Sequence, residues 1–290
     1  MEEEPILSHF SVYNLSVYDL SVFMFCLSLM PIIIRTPLRR LSQAEFGDLA
    51  YAVMGCVFQI HSEMGRFFDE KIYKRELAHR YPGVQLEVPI EVTYASFKKL
   101  QYLDVLVDGG GPFEFKAVET FAPRHPAQLL HYLLLAELPH GKLVNLRKEG
   151  VEHEFVNTTL TRVDRIQFAI NEARWNDRTT GASRFREVLT ALLRDWGTGL
   201  DLQFYEEAIT HFFGGEACVF ADVDVRTAEY PLGHQRMLLA APRVAFVLTA
   251  LHEADPNFES HARRLLRHAD LEAMLWANIS LKMVTFTTIA

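Results

Sequence analysis

A glycine-rich turn between two apolar runs carries the charges that most restrict this chain. Tyr102-Leu103-Asp104-Val105-Leu106-Val107 leads through Asp108-Gly109-Gly110-Gly111-Pro112 into Phe113-Glu114-Phe115-Lys116-Ala117. Apolar runs on either side of such a turn predict a β-hairpin. Side chains alternate along a strand, so Glu114 and Lys116 share one face while Phe113, Phe115 and Ala117 share the other. A hairpin that closes symmetrically about Gly110 sets Asp104 opposite Lys116 on that same face. Two carboxylates and an ammonium then stand on an otherwise apolar ribbon. An ionised group there is costly unless it is paired or bound to a metal.

At 290 residues the chain is long enough for two domains of ordinary size. Its 49% hydrophobic and 23% charged residues exclude a disordered polymer. A formal net charge of −8 argues against a general nucleic-acid coat, which would be basic. It leaves room for an enzyme that touches nucleic acid through a local basic patch. Cys26, Cys56 and Cys218 lie far apart and form no paired motif, so neither a disulfide framework nor a zinc site is expected. A reducing cytoplasm fits best. Residues 16–34 form an apolar run almost long enough to cross a bilayer. Asp19 and Pro31 interrupt it, and the acidic residues Glu2, Glu3 and Glu4 precede it where a signal peptide would be basic. Arg35, Arg39 and Arg40 would suit a cytoplasmic flank. Our reading is that translation starts at Met30 and that residues 1–29 are an artefact of the assigned start, with membrane attachment the minority reading. Residues 1–41 are set aside from the domains on that ground.

From Phe46 to His61 the residues Phe46, Leu49, Ala50, Val53, Met54, Val57 and Ile60 recur at helical spacing. A second helix is expected from Asp69 to His79, ended by Tyr81-Pro82-Gly83, and then a strand from Gln85 to Tyr94. After the hairpin, Pro126 to Glu137 reads as a helix with proline in its first turn. Lys142 to Leu146 and His153 to Asn157 read as strands. This order predicts an α/β domain with a mixed sheet over residues 42–162. The second half repeats it. Gly197, Asp201 and Tyr205 fall on Gly65, Asp69 and Tyr73, and strands at 219–226, 234–239 and 245–248, a helix at 259–268 and strands at 273–279 and 283–288 follow. Residues 163–183 are read as a helix and a linker whose polar part is Asn176 to Ser183. Residues 184–290 are read as a degenerate copy, with Leu202 in place of Glu70 and Phe246 and Leu248 opposite Glu114 and Lys116.

Two helical pairs complete the pattern: Glu70 with Tyr73, and Gln128 with Tyr132, each on one helix face. The segment from about Gln43 to Leu160 resembles the GxxExxY protein family, a branch of the PD-(D/E)xK nuclease-like superfamily. Glu70 and Tyr73 match the glutamate and tyrosine of the name, while Phe67 stands in place of its glycine. Gly55, His61 and Gly65 also sit where such proteins commonly carry them. Asp104 matches the superfamily's aspartate, with Leu103 in place of the preceding proline. Glu114-Phe115-Lys116 matches its ExK, and Gln128 and Tyr132 match the QxxxY helix of the exonuclease-like branch. The resemblance implies a restriction-endonuclease-like core, a four-stranded mixed sheet flanked by helices.

Hydrolysing a phosphodiester at neutral pH needs an activated water and neutralisation of phosphate charge. Asp104 and Glu114 are hard oxygen ligands that select Mg²⁺ or Mn²⁺ over zinc, and Glu70 would add a third carboxylate. Lys116 would orient the water, stabilise developing charge or act in proton transfer. Gln128 and Tyr132 would hold Lys116 and the phosphate in register. A lone ExK is most often a surface ion pair; the ordered series from Glu70 to Tyr132 is far more specific. Tyr73 and Tyr205 read as core tyrosines, and His61 as a cap or packing residue. Lys71, Lys74, Arg75, Lys98, Lys99, Arg124 and His125 read equally as a phosphate track or as solvated surface. The expected activity is a Mg²⁺-dependent nuclease acting on nucleic acid, DNA ahead of RNA, without a small-molecule cofactor. Two other readings stay open: a catalytically silent module that binds nucleic acid or a protein, and a scaffold.

Overall fold

Residues 32–252 and 256–290, which the computed structural model describes, are organised around two six-stranded mixed sheets. The first is built from β1 (Ile32–Ile34), β2 (Val84–Tyr94), β3 (Phe97–Val107), β4 (Gly111–Lys116), β5 (His140–Asn145) and β6 (Glu152–Asn157), in that spatial order. Helices α1 (Gln43–Met64) and α2 (Glu70–Arg80) precede β2, and α3 (Arg124–Ala136) joins β4 to β5. Next come α4 (Arg162–Ile166), β7 (Ala169–Arg174), α5 (Ala182–Trp196), α6 (Leu202–Phe212) and α7 (Glu216–Val219). The chain closes with β8 (Phe220–Arg226), β9 (Pro231–Ala241), β10 (Val244–Thr249), α8 (Pro256–His268), β11 (Ala273–Ile279) and β12 (Met283–Ile289). The second sheet has the order β7-β12-β11-β10-β9-β8.

Five strands of each sheet follow one succession of pairings, and the sixth differs, β1 pairing antiparallel with β2 and β7 parallel with β12. Antiparallel β2–β3–β4 and β8–β9–β10 are followed by a parallel pair, β4–β5 or β10–β11, and then by an antiparallel one. A parallel pair needs a crossover, which α3 and α8 supply. The paired helices ahead of each sheet end and restart alike. Gly65 and Gly197 follow α1 and α5 at φ 72° and 85°, a backbone region that favours glycine. The Tyr73 hydroxyl donates to the Gly65 carbonyl at 2.6 Å, and that of Tyr205 to the Gly197 carbonyl at 2.5 Å. Both tyrosines are buried core residues. At the start of α1, Ser42 and Glu45 cap each other reciprocally. Its face of Phe46, Val53, Val57 and Ile60 then packs with Val105, Phe113 and Phe115 of the sheet.

The hairpin differs from the expected one in register. Val107 pairs with Gly111, Leu106 with Pro112 and Val105 with Phe113, so the turn centres on Gly109 and not on Gly110. Extended by one residue, this register sets Asp104 beside Glu114 and not beside Lys116. A shift of two residues leaves every side chain on its predicted face. The glycines answer to a second constraint, because residues 37–41 cross the turn. The Arg39 N–H donates to the Gly109 carbonyl at 2.8 Å, and a Cβ on Gly110 would lie 2.4 Å from the Arg39 carbonyl oxygen.

The end of the N-terminal apolar run also behaves differently from a span. Ile32–Ile34 pairs antiparallel with Ile90–Val92 as the edge of the first sheet. The rest of the run and the proposed start at Met30 lie outside the described residues. No described helix is long and apolar enough to cross a membrane.

On β10 the Phe246 ring packs 5.2 Å from Phe185 of α5, as Phe113 of β4 packs 6.2 Å from Phe46 of α1. Phe246 therefore faces the paired helices, whereas Glu114 faces away from them. Two asparagines fix the correspondence. Asn145 accepts from the Val118 N–H at 3.1 Å and donates to the Val118 carbonyl at 2.7 Å. Asn278 accepts from the Leu251 N–H at 2.8 Å and donates to the Leu251 carbonyl at 3.1 Å. Asn145 lies in register with Lys116, and Asn278 with Thr249. Val247 and Thr249, rather than Phe246 and Leu248, therefore hold the places of Glu114 and Lys116. The ungapped comparison was off by one residue, which on a strand is the wrong face.

The two halves share one apolar cluster, in which Leu129, Leu133 and Leu134 of α3 lie with Trp196 and Phe204. Residues 163–183 contribute more than a connector, since β7 pairs parallel with β12. His131 of α3 stands at the junction. Its Nδ1 accepts from the Asp201 N–H at 3.1 Å and its Nε2 lies 2.8 Å from Gln101 Oε1, which describes a neutral ring protonated at Nε2. Burial pushes its pKa down to about 4. An unfolded histidine titrates near ~6.5, so below that pH the unfolded chain takes up a proton that the folded chain refuses. Stability is full above pH ~6.5 and falls toward pH 4, by on the order of 3 kcal/mol from this residue. Urea unfolding of His131→Gln should show a flatter dependence on pH across that window than the parent.

Candidate active site

Asp104 on β3 and Glu114 on β4 meet across the hairpin. Asp104 Oδ2 accepts from the Phe115 N–H at 3.1 Å, which locks its carboxylate onto the neighbouring strand. Its Oδ1 accepts from the Lys74 ammonium at 2.6 Å. Glu114 is 2% exposed; its Oε1 accepts from Lys116 Nζ at 2.6 Å, while its buried Oε2 has no hydrogen-bond partner among the described residues. Glu70, in the first turn of α2, lies 3.8 Å from the Lys74 ammonium. The cluster thus gathers Glu70, Asp104 and Glu114 with Lys74 and Lys116.

Lys74 is the residue that sequence reasoning misplaced, in a solvent-facing phosphate track. It is buried, and the signal was available, because Lys74 follows Glu70 by four residues and so shares its helix face. Asn145 was missed altogether. Buried beside Lys116, it straps Val118 by two hydrogen bonds and fixes the chain leaving the site. Its only signal was a polar residue inside the apolar run Leu143-Val144-Asn145-Leu146. Most of the expected phosphate track is paired instead. Lys71 lies 3.8 Å from Asp69 and Lys98 2.7 Å from Glu91, while Lys99 pairs with Glu207. His61 Nε2 lies 3.1 Å from the Lys148 carbonyl oxygen and anchors a loop.

Burial, and then the charge of Asp104, push the Glu114 carboxyl up to about 7 against the opposing pull of Lys116. Glu70 is raised for the same two reasons, opposed by Lys116 and Lys74. For Lys116 burial works against the charge, but Glu114, Glu70 and Asp104 outweigh it and hold the pKa above the ordinary lysine value. Lys116 therefore stays an ammonium at neutral pH beside Glu114.

On α3, Gln128 Nε2 donates to the Tyr132 hydroxyl at 3.3 Å. Burial raises the pKa of that hydroxyl; the Gln128 bond opposes the rise, while Glu114 and Asp104 add to it. Tyr132 thus senses the cluster, but the pair bonds within itself rather than to Lys116. His125 is buried nearby and accepts from the Ala122 N–H at 3.0 Å. Its pKa is lowered by burial, with Lys116 contributing.

Among the described residues no group of three or more His, Cys, Asp and Glu side chains is arranged to hold a metal ion. Asp104 lies close enough to raise both Glu70 and Glu114, but Asp104 and Glu114 each face an ammonium. The donor set still fits one hard divalent cation, because it is all oxygen and Glu114 Oε2 is a buried acceptor left without a donor. Lys74 is the competing cation at Asp104.

Residues 47–157 match the family model of the PD-(D/E)XK nuclease superfamily. The matched span runs from within α1 through β6 and contains Glu70, Lys74, Asp104, Glu114 and Lys116. Its mixed sheet and flanking helices are consistent with the core of that superfamily. No curated protein and no solved structure is significantly similar to the chain.

Proposed function

We propose that residues 42–162 form a divalent-metal-dependent nuclease domain of the GxxExxY branch, hydrolysing phosphodiester bonds in nucleic acid, DNA ahead of RNA. The observation that carries this is the convergence of Asp104, Glu114 and Lys116 in a mostly buried cluster where Glu114 Oε2 lacks a partner. Glu70 and Tyr73 on one helix face support the branch assignment, with Phe67 as the departure. Asp104 and Glu114, with Glu70 beside them, would hold Mg²⁺ or Mn²⁺, and the cation would supply neutralisation of phosphate charge. Lys116, 2.6 Å from Glu114, presents a permanent positive charge to oxygens that gain negative charge in the transition state. Gln128 and Tyr132 border the cluster and orient what enters it. The free thiols of Cys56 and Cys218 suit a reducing cytoplasm.

The test is cleavage of single-stranded, double-stranded and branched DNA and of RNA, with Mg²⁺, Mn²⁺ or a chelator. The proposal expects cleavage that the chelator abolishes; no cleavage of any polymer would refute it. One observation favours the alternative of a silent binding module, namely the Lys74 ammonium already seated on Asp104.

A thermodynamic consequence needs no substrate. Folded Glu114 titrates at about 7 against an ordinary value of 4.5, so the folded chain retains a proton that the unfolded chain releases. Its contribution is full below pH 4.5 and is lost as pH rises through 7, by on the order of 3 kcal/mol. Thermal unfolding at pH 8 in chelator should show Glu114→Gln more stable than the parent, and added Mn²⁺ should stabilise only the parent.

We also read residues 184–290 as a degenerate copy of the first domain. The shared succession of pairings, the Tyr205–Gly197 bond and the Asn278 strap support this. The β9–β10 register pairs Ala245 with Leu239 and, extended by two residues, sets Met237 beside Val247. Met237, Val247 and Thr249 then stand where Asp104, Glu114 and Lys116 stand in the first sheet, and Leu202 where Glu70 stands. Met237 and Val247 pack with Ala262 and Trp276 in an apolar cluster, as expected once a site no longer has to be kept.

A further inference from the structure

Lys142 of β5 is only 3% exposed, yet among the described residues it has neither a carboxylate nor a hydrogen-bond partner. Its ammonium lies 3.4 Å from the centre of the Phe155 ring, which attracts the cation but accepts no conventional hydrogen bond. Burial lowers its pKa. The ammonium meets solvent only through the groove it lines, so an anion entering that groove finds a cation with no protein counter-charge.

The residue lines a groove of about 830 Å³ between α1 and the outer strands β5 and β6. Lys142 lies in register with Phe113 and Glu114 with Leu143, so the groove is on the opposite face of the sheet from the candidate active site. Three exposed rings line it: Tyr51 at 85%, Phe58 at 45% and Phe155 at 52%. Gly47 and Gly55 of α1 also line it, and a Cβ on either would meet nothing within 4 Å. Glycine inside a helix is destabilising relative to alanine, and internal packing does not account for these two. Their missing side chains leave the wall above Lys142 open. The other charge in the groove is neutralised, since Arg80 is held by Glu63 at 2.7 Å and by Glu76 at 2.6 Å. His153 has its pKa lowered by burial and by Lys142, which keeps the ring neutral. One unpaired positive charge beneath an aromatic wall therefore selects a single negative charge on a flat apolar body.

We propose that this groove binds an aromatic monocarboxylate, its carboxylate on the Lys142 ammonium and its ring against Phe155, Phe58 and Tyr51.

The test is calorimetric titration of the full chain with 2-naphthoate and with its neutral isostere naphthalene-2-carboxamide. The parent is expected to bind the carboxylate at least tenfold more tightly than the amide. Lys142→Met should erase that preference and raise the thermal unfolding midpoint. Gly55→Leu, whose side chain fills the groove from an exposed helix position, should weaken both ligands at least tenfold. Equal affinities in the parent, no binding of either compound, or a preference that survives in Lys142→Met would overturn the proposal. The parent comparison decides the matter even if Lys142→Met folds poorly, and Lys142→Gln provides a second uncharged variant.

Discussion

Asp104→Asn is expected to lower metal-dependent cleavage by about 10²–10³-fold or more, and Lys116→Met by a similar factor, with the fold retained in both. Asparagine is the informative replacement at position 104. Asp104 also holds the buried Lys74 ammonium and the Phe115 N–H, so alanine would leave a charge and a donor without partners. Asparagine keeps one acceptor oxygen, for either the Lys74 ammonium or the Phe115 N–H, where alanine keeps none, and it removes the negative charge that a divalent cation needs. Methionine at 116 preserves the volume of the lysine and removes only its ammonium, so Glu114 loses its partner at 2.6 Å and favours its protonated form. Steady-state cleavage together with circular dichroism separates loss of chemistry from loss of structure. Cleavage at the parental rate in either variant would remove that residue from the active site.

Arg165→Met should produce the largest change in stability, about 3 kcal/mol, read as a fall in the urea midpoint at unchanged slope. Arg165 has no exposed surface and, among the described residues, no carboxylate within ion-pair distance. Its guanidinium instead donates to the carbonyls of Leu134, Trp196 and Thr198, each at 3.0 Å. Leu134 lies in the last turn of α3 and Trp196 ends α5, where unsatisfied carbonyls carry partial negative charge. One side chain therefore caps two helices, one from each half of the molecule. Thr198 closes the arrangement by donating its N–H and its hydroxyl to the Arg165 carbonyl at 3.0 Å each. Methionine would strand three buried acceptors at ~1–3 kcal/mol apiece, offset by relief from burying a charge. A lysine has one ammonium and cannot span both helix ends, so Arg165→Lys should recover little. An unchanged midpoint in both variants would show the arginine to be dispensable.

The parts of this molecule that follow from local periodicity were legible. Alternation placed Glu114 and Lys116 on one strand face and Phe113 and Phe115 on the other, and helical spacing marked the buried face of α1. What depends on distant segments was not. The turn centre at Gly109 answers to residues 37–41 crossing above it, a contact no hairpin pattern contains. Ile32–Ile34 reads as the end of an apolar run because edge-strand pairing is invisible without the partner strand. Arg165 lay in a segment read as helix and linker, where nothing local signals that it is buried. Lys74 was read as phosphate track or solvated surface for a different reason: a lysine on a mostly polar helix is ordinarily solvated, and the Asp104 carboxylate beneath α2 draws this one in. The residue matching between the halves slipped by one because the sequences share few letters along β4 and β10, whereas the asparagine straps show it directly.

The most direct measurement on the Asp104–Glu114 cluster is the binding of Mn²⁺, followed by loss of the free-ion paramagnetic resonance signal. If Asp104 and Glu114 form the cation site of a nuclease, the parent chain takes up Mn²⁺ at one saturable site, and that uptake disappears in both Asp104→Asn and Glu114→Gln. Uptake that persists undiminished in both variants, or a parent chain that takes up none at millimolar concentration, would contradict it.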